Sequence, residues 1–128
     1  MIKEAYVSFE VAKLLKEKGF DEPCRTYYQD KEFVDDVCTQ YYQWNSKSPF
    51  GQISCPTLQM AMAWLREVHD IFIVIEPYTY NYVDEKNSSY VASLWQGDNY
   101  YENPLSKDFP SYEETVEAAI KYCLENLL

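Results

Sequence analysis

The chain has 128 residues, 21 of them acidic against 11 basic, for a formal net charge of −10. Hydrophobic residues make up 47% and aromatic residues 17%, enough to bury a core without metal or disulfide staples, which excludes a largely disordered chain. The longest purely apolar runs, Met60 to Leu65 and Ile71 to Ile75, are six and five residues against the ~20 that a membrane-spanning helix needs. A surface of this sign also repels phosphate backbones and anionic lipid, so neither nucleic acid nor membrane is expected as a partner.

Met1-Ile2-Lys3-Glu4 places charges where a secretory leader needs an apolar stretch, so a cytoplasmic chain is expected. Ser8 offers a cap to a first helix over about 9 to 18, whose Val11, Leu14 and Leu15 fall on one face. Gly19 accepts φ > 0 at its end, and Phe20 folds back onto it. After the Asp21-Glu22-Pro23 break, Cys24 to Tyr28 is β-branched and aromatic enough for a strand. Residues 30 to 40 read equally as a short helix or a polar strand pair. Tyr41 to Trp44 suits a second strand, giving a hairpin-like unit over about 24 to 44, followed by a loop to Gly51.

Pro56 and Thr57 open a second helix that runs to about His69, with Leu58, Ala61, Leu65 and Val68 as its inward stripe. Ile71 to Ile75 is apolar at every position, the pattern of a central strand covered on both faces. Tyr78, Tyr80 and Tyr82 continue it with period two, residues 81 to 89 turn the chain, and Tyr90 to Trp95 return as the second arm of a long antiparallel hairpin. Ser111 and Glu114 form a capping box for a last helix whose stripe is Val116, Ala119, Ile120, Cys123, Leu124 and Leu127. The expected fold is a single α+β domain in the order α-β-β-α-β-β-α, an antiparallel sheet packed by helices. An αββ unit occurs on each side of residue 55, as topology only.

Chemistry is sparsely marked. Cys24, Cys38, Cys55 and Cys123 contain no CxxC pair, and in a reducing compartment they read as small buried hydrophobes rather than metal ligands. Glycine occurs only at 19, 51 and 97, so no phosphate-cradling loop exists, and neither cofactor nor metal is expected. Asp30, Glu32, Asp35 and Asp36 lack the glycine and final glutamate of a calcium loop and read as a solvated face. His69, flanked by Glu67 and Asp70, could serve as a general base, but at a helix end it reads more simply as a partner for free carbonyls. Trp64 and Trp95 read as core anchors, while Trp44, beside a loop, is exempted.

Lys16 to Cys24, Tyr42-Gln43-Trp44-Asn45, Ser54 to Thr57 with Trp64 to His69, and the closing Phe109 to Glu114 and Ala118 to Leu124 give the chain a recognisable wording. It resembles a family of short uncharacterised proteins of gut Bacteroides-type bacteria and their phages or prophages. The resemblance implies a cytoplasmic mobile-element accessory protein and carries no activity, ligand or site residue.

With no catalytic constellation and 13 tyrosines, the leading reading is a non-enzymatic module that captures a host or phage protein. Its candidate surface comprises Trp44, Tyr42, Tyr78, Tyr80, Tyr100, Tyr101 and His69. The alternative is a small-ligand or carbohydrate-binding domain built on Trp44 and strand tyrosines. A third reading is an acidic mimic of DNA, which needs its carboxylates along one face. An enzyme would require His69 or the acids at 30 to 36 to line a pocket. Short sheet edges also make a homodimer possible.

Overall fold

A computed structural model describes residues 1–35, 40–79 and 88–128. Helix α1 spans Phe9–Glu17, strands β1 and β2 Tyr27–Gln29 and Glu32–Val34, the one-turn helix α2 Trp44–Lys47, and strand β3 Ile53–Ser54. Helix α3 spans Leu58–His69, strands β4, β5 and β6 Ile71–Thr79, Ser88–Gln96 and Asn99–Tyr101, and helix α4 Tyr112–Asn126. The described residues form two antiparallel three-stranded sheets, ordered β2-β1-β3 and β4-β5-β6, with helices packed against them. The α+β class is as expected. Two sheets replace one, and α2, β3 and β6 are additions to the expected order.

Helix α1 follows its sequence signals closely. Ser8 Oγ accepts from the Val11 N–H, and at the other end the Phe20 N–H donates to the Leu15 carbonyl and the Gly19 N–H to that of Lys16. These are the two bonds of a Schellman motif, with Gly19 at φ 95° and Phe20 folded into the core. The hairpin that follows is shorter than expected. Tyr27 pairs with Val34 and Gln29 with Glu32, joined by Asp30 and Lys31, both at positive φ (50° and 69°) as in a type I′ turn. Part of the ambiguous stretch is thus strand, and residues 36 to 39 lie outside the described ones.

The strand expected over Tyr41 to Trp44 does not form. Tyr42 makes an isolated bridge to Cys24, and Trp44 opens α2. The cause is local competition for polar groups. The Asp21 carboxylate accepts from the backbone and hydroxyl of Ser46 and from Gln43 Nε2. Asn45 meanwhile donates to the Phe20 carbonyl and accepts from the Ser54 N–H. Side chains 43 to 46 therefore fold back on the loop after α1 instead of extending.

In α3, Thr57 Oγ1 accepts from the Met60 N–H, and Asp70 ends the helix at φ 56°. Leu58, Ala61 and Leu65 face inward as expected, but Val68, in the last turn, is exposed (57%). Trp64 occupies the inward position instead, edge-on to Phe20 at 5.4 Å.

The expected long hairpin is β4 and β5, paired from Ile71↔Gln96 to Thr79↔Ser88; Tyr80, Tyr82 and the connecting turn lie outside the described residues. However, β4 is an edge strand and β5 the centre. The inner face, with Ile71, Ala92 and Leu94 fully buried, packs on α3 and α4. The outer face leaves Phe72 and Val74 exposed, so β4 is not covered on both faces. Helix α4 begins as expected, with Ser111 Oγ accepting from the Glu114 N–H, and buries Val116, Ala119, Ile120, Cys123 and Leu124. These side chains join Val7, Val11, Leu15, Leu65, Ile71 and Leu94 in one core cluster, each large aliphatic contributing roughly 1.5–3 kcal/mol by leaving water.

Candidate binding face

Alternation along β4 and β5 decides what the second sheet shows to solvent. Side chains of one strand point to opposite faces in turn, so Leu94 and Ile73 face the core while Phe72, Val74, Glu76 and Tyr78 face outward with Trp95, Ser93 and Val91. Phe72 is the pairing partner of Trp95, and Trp95 of Tyr100. The three therefore form one row across all three strands, and each is exposed, at 44%, 42% and 48%. The Trp95 and Tyr100 rings lie 4.8 Å apart at 39°. Val74 and Tyr78 extend the row into an aromatic and aliphatic patch.

Beside this row lies a groove of about 360 Å³, lined by Glu76, Tyr78, Val91, Ser93 and Tyr100 and walled by residues 102 to 108. The wall is pinned at both ends. The Asn103 N–H donates to Ser93 Oγ (3.3 Å), and Phe109 exchanges backbone bonds with Tyr90 (2.8 and 2.9 Å). Between these points Asn103 and Ser106 take positive φ, at 42° and 58°, closing a tight turn. The groove's charge comes from Glu76, Glu102 and Asp108, none of which makes an ion pair among the described residues. Lys107, its one cation among the described residues, lies over the Phe109 ring at 4.7 Å. The buried Asn103 Oδ1 has no donor among the described residues. The groove thus presents aromatic faces and acceptors, a combination that attracts cations and donors.

Of the residues singled out in the sequence, Tyr78 and Tyr100 meet on this face. Tyr101 turns to the opposite face and packs against the core, and Tyr80 lies outside the described residues. Trp44 and Tyr42 form a separate aromatic cluster with Tyr27. There the Trp44 indole donates to the Cys24 carbonyl (2.7 Å) and the Tyr42 hydroxyl to that of Lys47 (3.1 Å), so both polar tips serve the fold. His69 rests edge-on against Trp64 at 4.6 Å, and its buried Nε2 has no partner among the described residues, so this nitrogen makes no bond to a free carbonyl there. Asp70, in the left-handed conformation, closes the helix instead.

Trp95, expected in the core, is the residue misplaced most. Its position was accessible from alternation, since Leu94 and Trp95 cannot both face inward. Strand β6 also had a signal, because Gly97-Asp98 is a two-residue hairpin turn, and Gly97 adopts φ 58°.

Other chemical candidates are separated in space. Asp30 belongs to the β1–β2 turn, Asp35 pairs with Arg25 at 3.8 Å, and Asp36 lies outside the described residues. Cys24, Cys55 and Cys123 are buried, and burial pushes each thiol up to about 12, the opposite of an activated nucleophile. Among the described residues no three His, Cys, Asp or Glu side chains group as a metal site, and no helix is long and apolar enough to cross a membrane. No protein-family model, curated protein or solved structure matches the chain.

Proposed function

We propose that this protein is a non-enzymatic interaction module that docks a basic partner protein on the outer face of β4–β5–β6. The reading is carried by the exposed Phe72–Trp95–Tyr100 row. Aromatic side chains concentrate binding energy when a partner excludes water from them, and an acidic rim steers a basic surface toward them. Glu76, Glu102 and Asp108 supply that rim. On the family resemblance, the partner sought is a host or phage protein in the cytoplasm. A second copy of the chain has a route to the same sheet through the unpaired edge of β4.

The test is quantitative capture from host lysate by wild type and by Trp95→Ala/Tyr100→Ala, followed by titration of whatever protein the wild type retains. The double variant is expected to weaken that complex roughly 1,000-fold, two side chains of hot-spot type each contributing about 2 kcal/mol. Equal retention by both forms would remove the face from consideration. Carbohydrate binding is the runner-up, favoured by the groove between Tyr78 and Tyr100. Against it, Trp95 and Tyr100 are tilted and in mutual contact rather than spread as a flat platform. A glycan array that responds while no protein is retained would favour it. The DNA-mimic reading has less support, because Glu76 and Glu102 lie on the outer side of the sheet while Glu113, Glu114 and Glu117 lie on α4 behind it.

A further inference from the structure

A second groove, of about 380 Å³, opens on the other side of the sheet from the docking face. Its floor is the segment Ala5 to Ser8, fixed to the start of α3 by the Val7 N–H on the Pro56 carbonyl and the Leu58 N–H on that of Ala5 (3.1 and 2.9 Å). One wall is aromatic. Tyr28 donates its hydroxyl to the Val7 carbonyl at 2.7 Å, which fixes its ring. Phe33 stands between Tyr28 (6.0 Å) and Tyr6 (4.9 Å) and is exposed on its free side (43%). The facing wall is the start of α4, which brings Glu113, Glu114 and Glu117 to the groove. Glu117 accepts from the Ser8 N–H at 3.1 Å, and among the described residues no lysine or arginine is paired with any of the three.

We propose that this groove binds an alkylated ammonium group, its methyls against Tyr6, Tyr28 and Phe33 and its charge toward Glu113 and Glu114. Aromatic faces carry the negative part of the ring quadrupole, so rings and carboxylates both favour a cation. The apolar floor of Ala5, Val7 and Leu58 favours a cation with little hydration, which selects methylated ammonium over free lysine or a metal ion. Anions are repelled, and a neutral group of the same shape gains only the apolar contact. This inference is independent of the docking face and shares no residue with it.

The probes are tetramethylammonium, choline, a trimethyllysine peptide with its unmodified counterpart, and the uncharged choline isostere 3,3-dimethylbutanol, each titrated by NMR of the intact protein. Saturable shifts at Ser8, Tyr28 and Phe33 are expected for the methylated cations, about ten-fold tighter than for the isostere. Phe33→Leu, which keeps apolar volume and removes the ring, is expected to reduce that preference several-fold while leaving the fold intact, since the side chain is half-exposed. Glu113→Gln/Glu114→Gln is expected to weaken cation binding several-fold and to reduce its salt dependence. Choline binding more tightly than the peptide would identify a free metabolite as the source, and the reverse order a methylated protein. Equal affinity for choline and its isostere, or no saturable shift from any cation, would overturn the proposal.

Discussion

At the scale of single residues, three backbone positions show how differently a strained conformation can be read. Gly19 announces itself, because a glycine closing an amphipathic stretch before an aromatic residue is what a Schellman ending requires, and the two bonds are present. Asp70, at φ 56°, and Lys31, at φ 69°, give no such warning. Lysine has neither glycine's freedom nor the short polar side chain that lets Asp or Asn visit the left-handed region. Lys31 is exposed, and its ammonium makes no ion pair among the described residues. Lys31→Gly therefore removes about 1–2 kcal/mol of left-handed strain against about 0.5–1 kcal/mol of added chain entropy in the unfolded state. A net gain of about 0.5–1 kcal/mol is expected, a rise of roughly 2–5 °C in Tm, checked by calorimetry. A fall in Tm would show that the turn does not need the type I′ conformation.

At the scale of elements, β4 explains why the sheet was harder to read than the helices. Helix faces were legible because caps and stripes are local signals, as Ser8, Thr57 and Ser111 all illustrate. Five consecutive apolar residues say that both faces of a strand are apolar, not that this chain covers both. Phe72 and Val74 remain uncovered, and that surplus is the site. Pro77 records the strand's position independently. Tyr90 turns its N–H and C=O toward Phe109, so its partner Pro77 has its backbone nitrogen on the free edge, along with those of Ile71, Ile73 and Ile75. Proline there removes a donor from an edge that would otherwise recruit another strand. Pro77→Val restores one edge hydrogen bond per chain, each contributing about 0.5–1.5 kcal/mol. Sedimentation velocity is expected to show self-association strengthened about ten-fold. Unchanged sedimentation would show that the free edge of β4 takes no part in pairing.

At the scale of the whole molecule, one core joins the N-terminal segment, three helices and the second sheet, and its composition is what composition alone announced. The cysteines were legible as small hydrophobes, and Cys24, Cys55 and Cys123 are indeed buried. Trp64 lies inside the core as expected, and alternation could have told that Trp95 lies outside; what could not be read was that the core leaves out Val68, because that depends on how the layers stack. Burying three thiols has a consequence for pH. Each is held neutral up to about 12 in the folded chain, chiefly because burial disfavours the thiolate, whereas an unfolded thiol ionises near its ordinary value of 9.0. Below that value both states are protonated and stability is untouched. Above it the unfolded state binds fewer protons, so stability falls as pH rises, by about 1.4 kcal/mol per pH unit for each thiol. Tyr28, also raised by burial, adds to the loss above its ordinary value. Three thiols together remove about 4 kcal/mol per pH unit, about 12 kcal/mol over the whole window, which is most or all of a typical 5–15 kcal/mol of stability. Urea midpoints are therefore expected to hold steady up to about pH 9 and then fall steeply to cooperative unfolding between 9 and 12. Cys123→Ala should flatten that fall by about a third at constant fold, because it removes one of these three buried thiols. A midpoint that stays level through this window would show that these thiols already reach solvent in the folded protein.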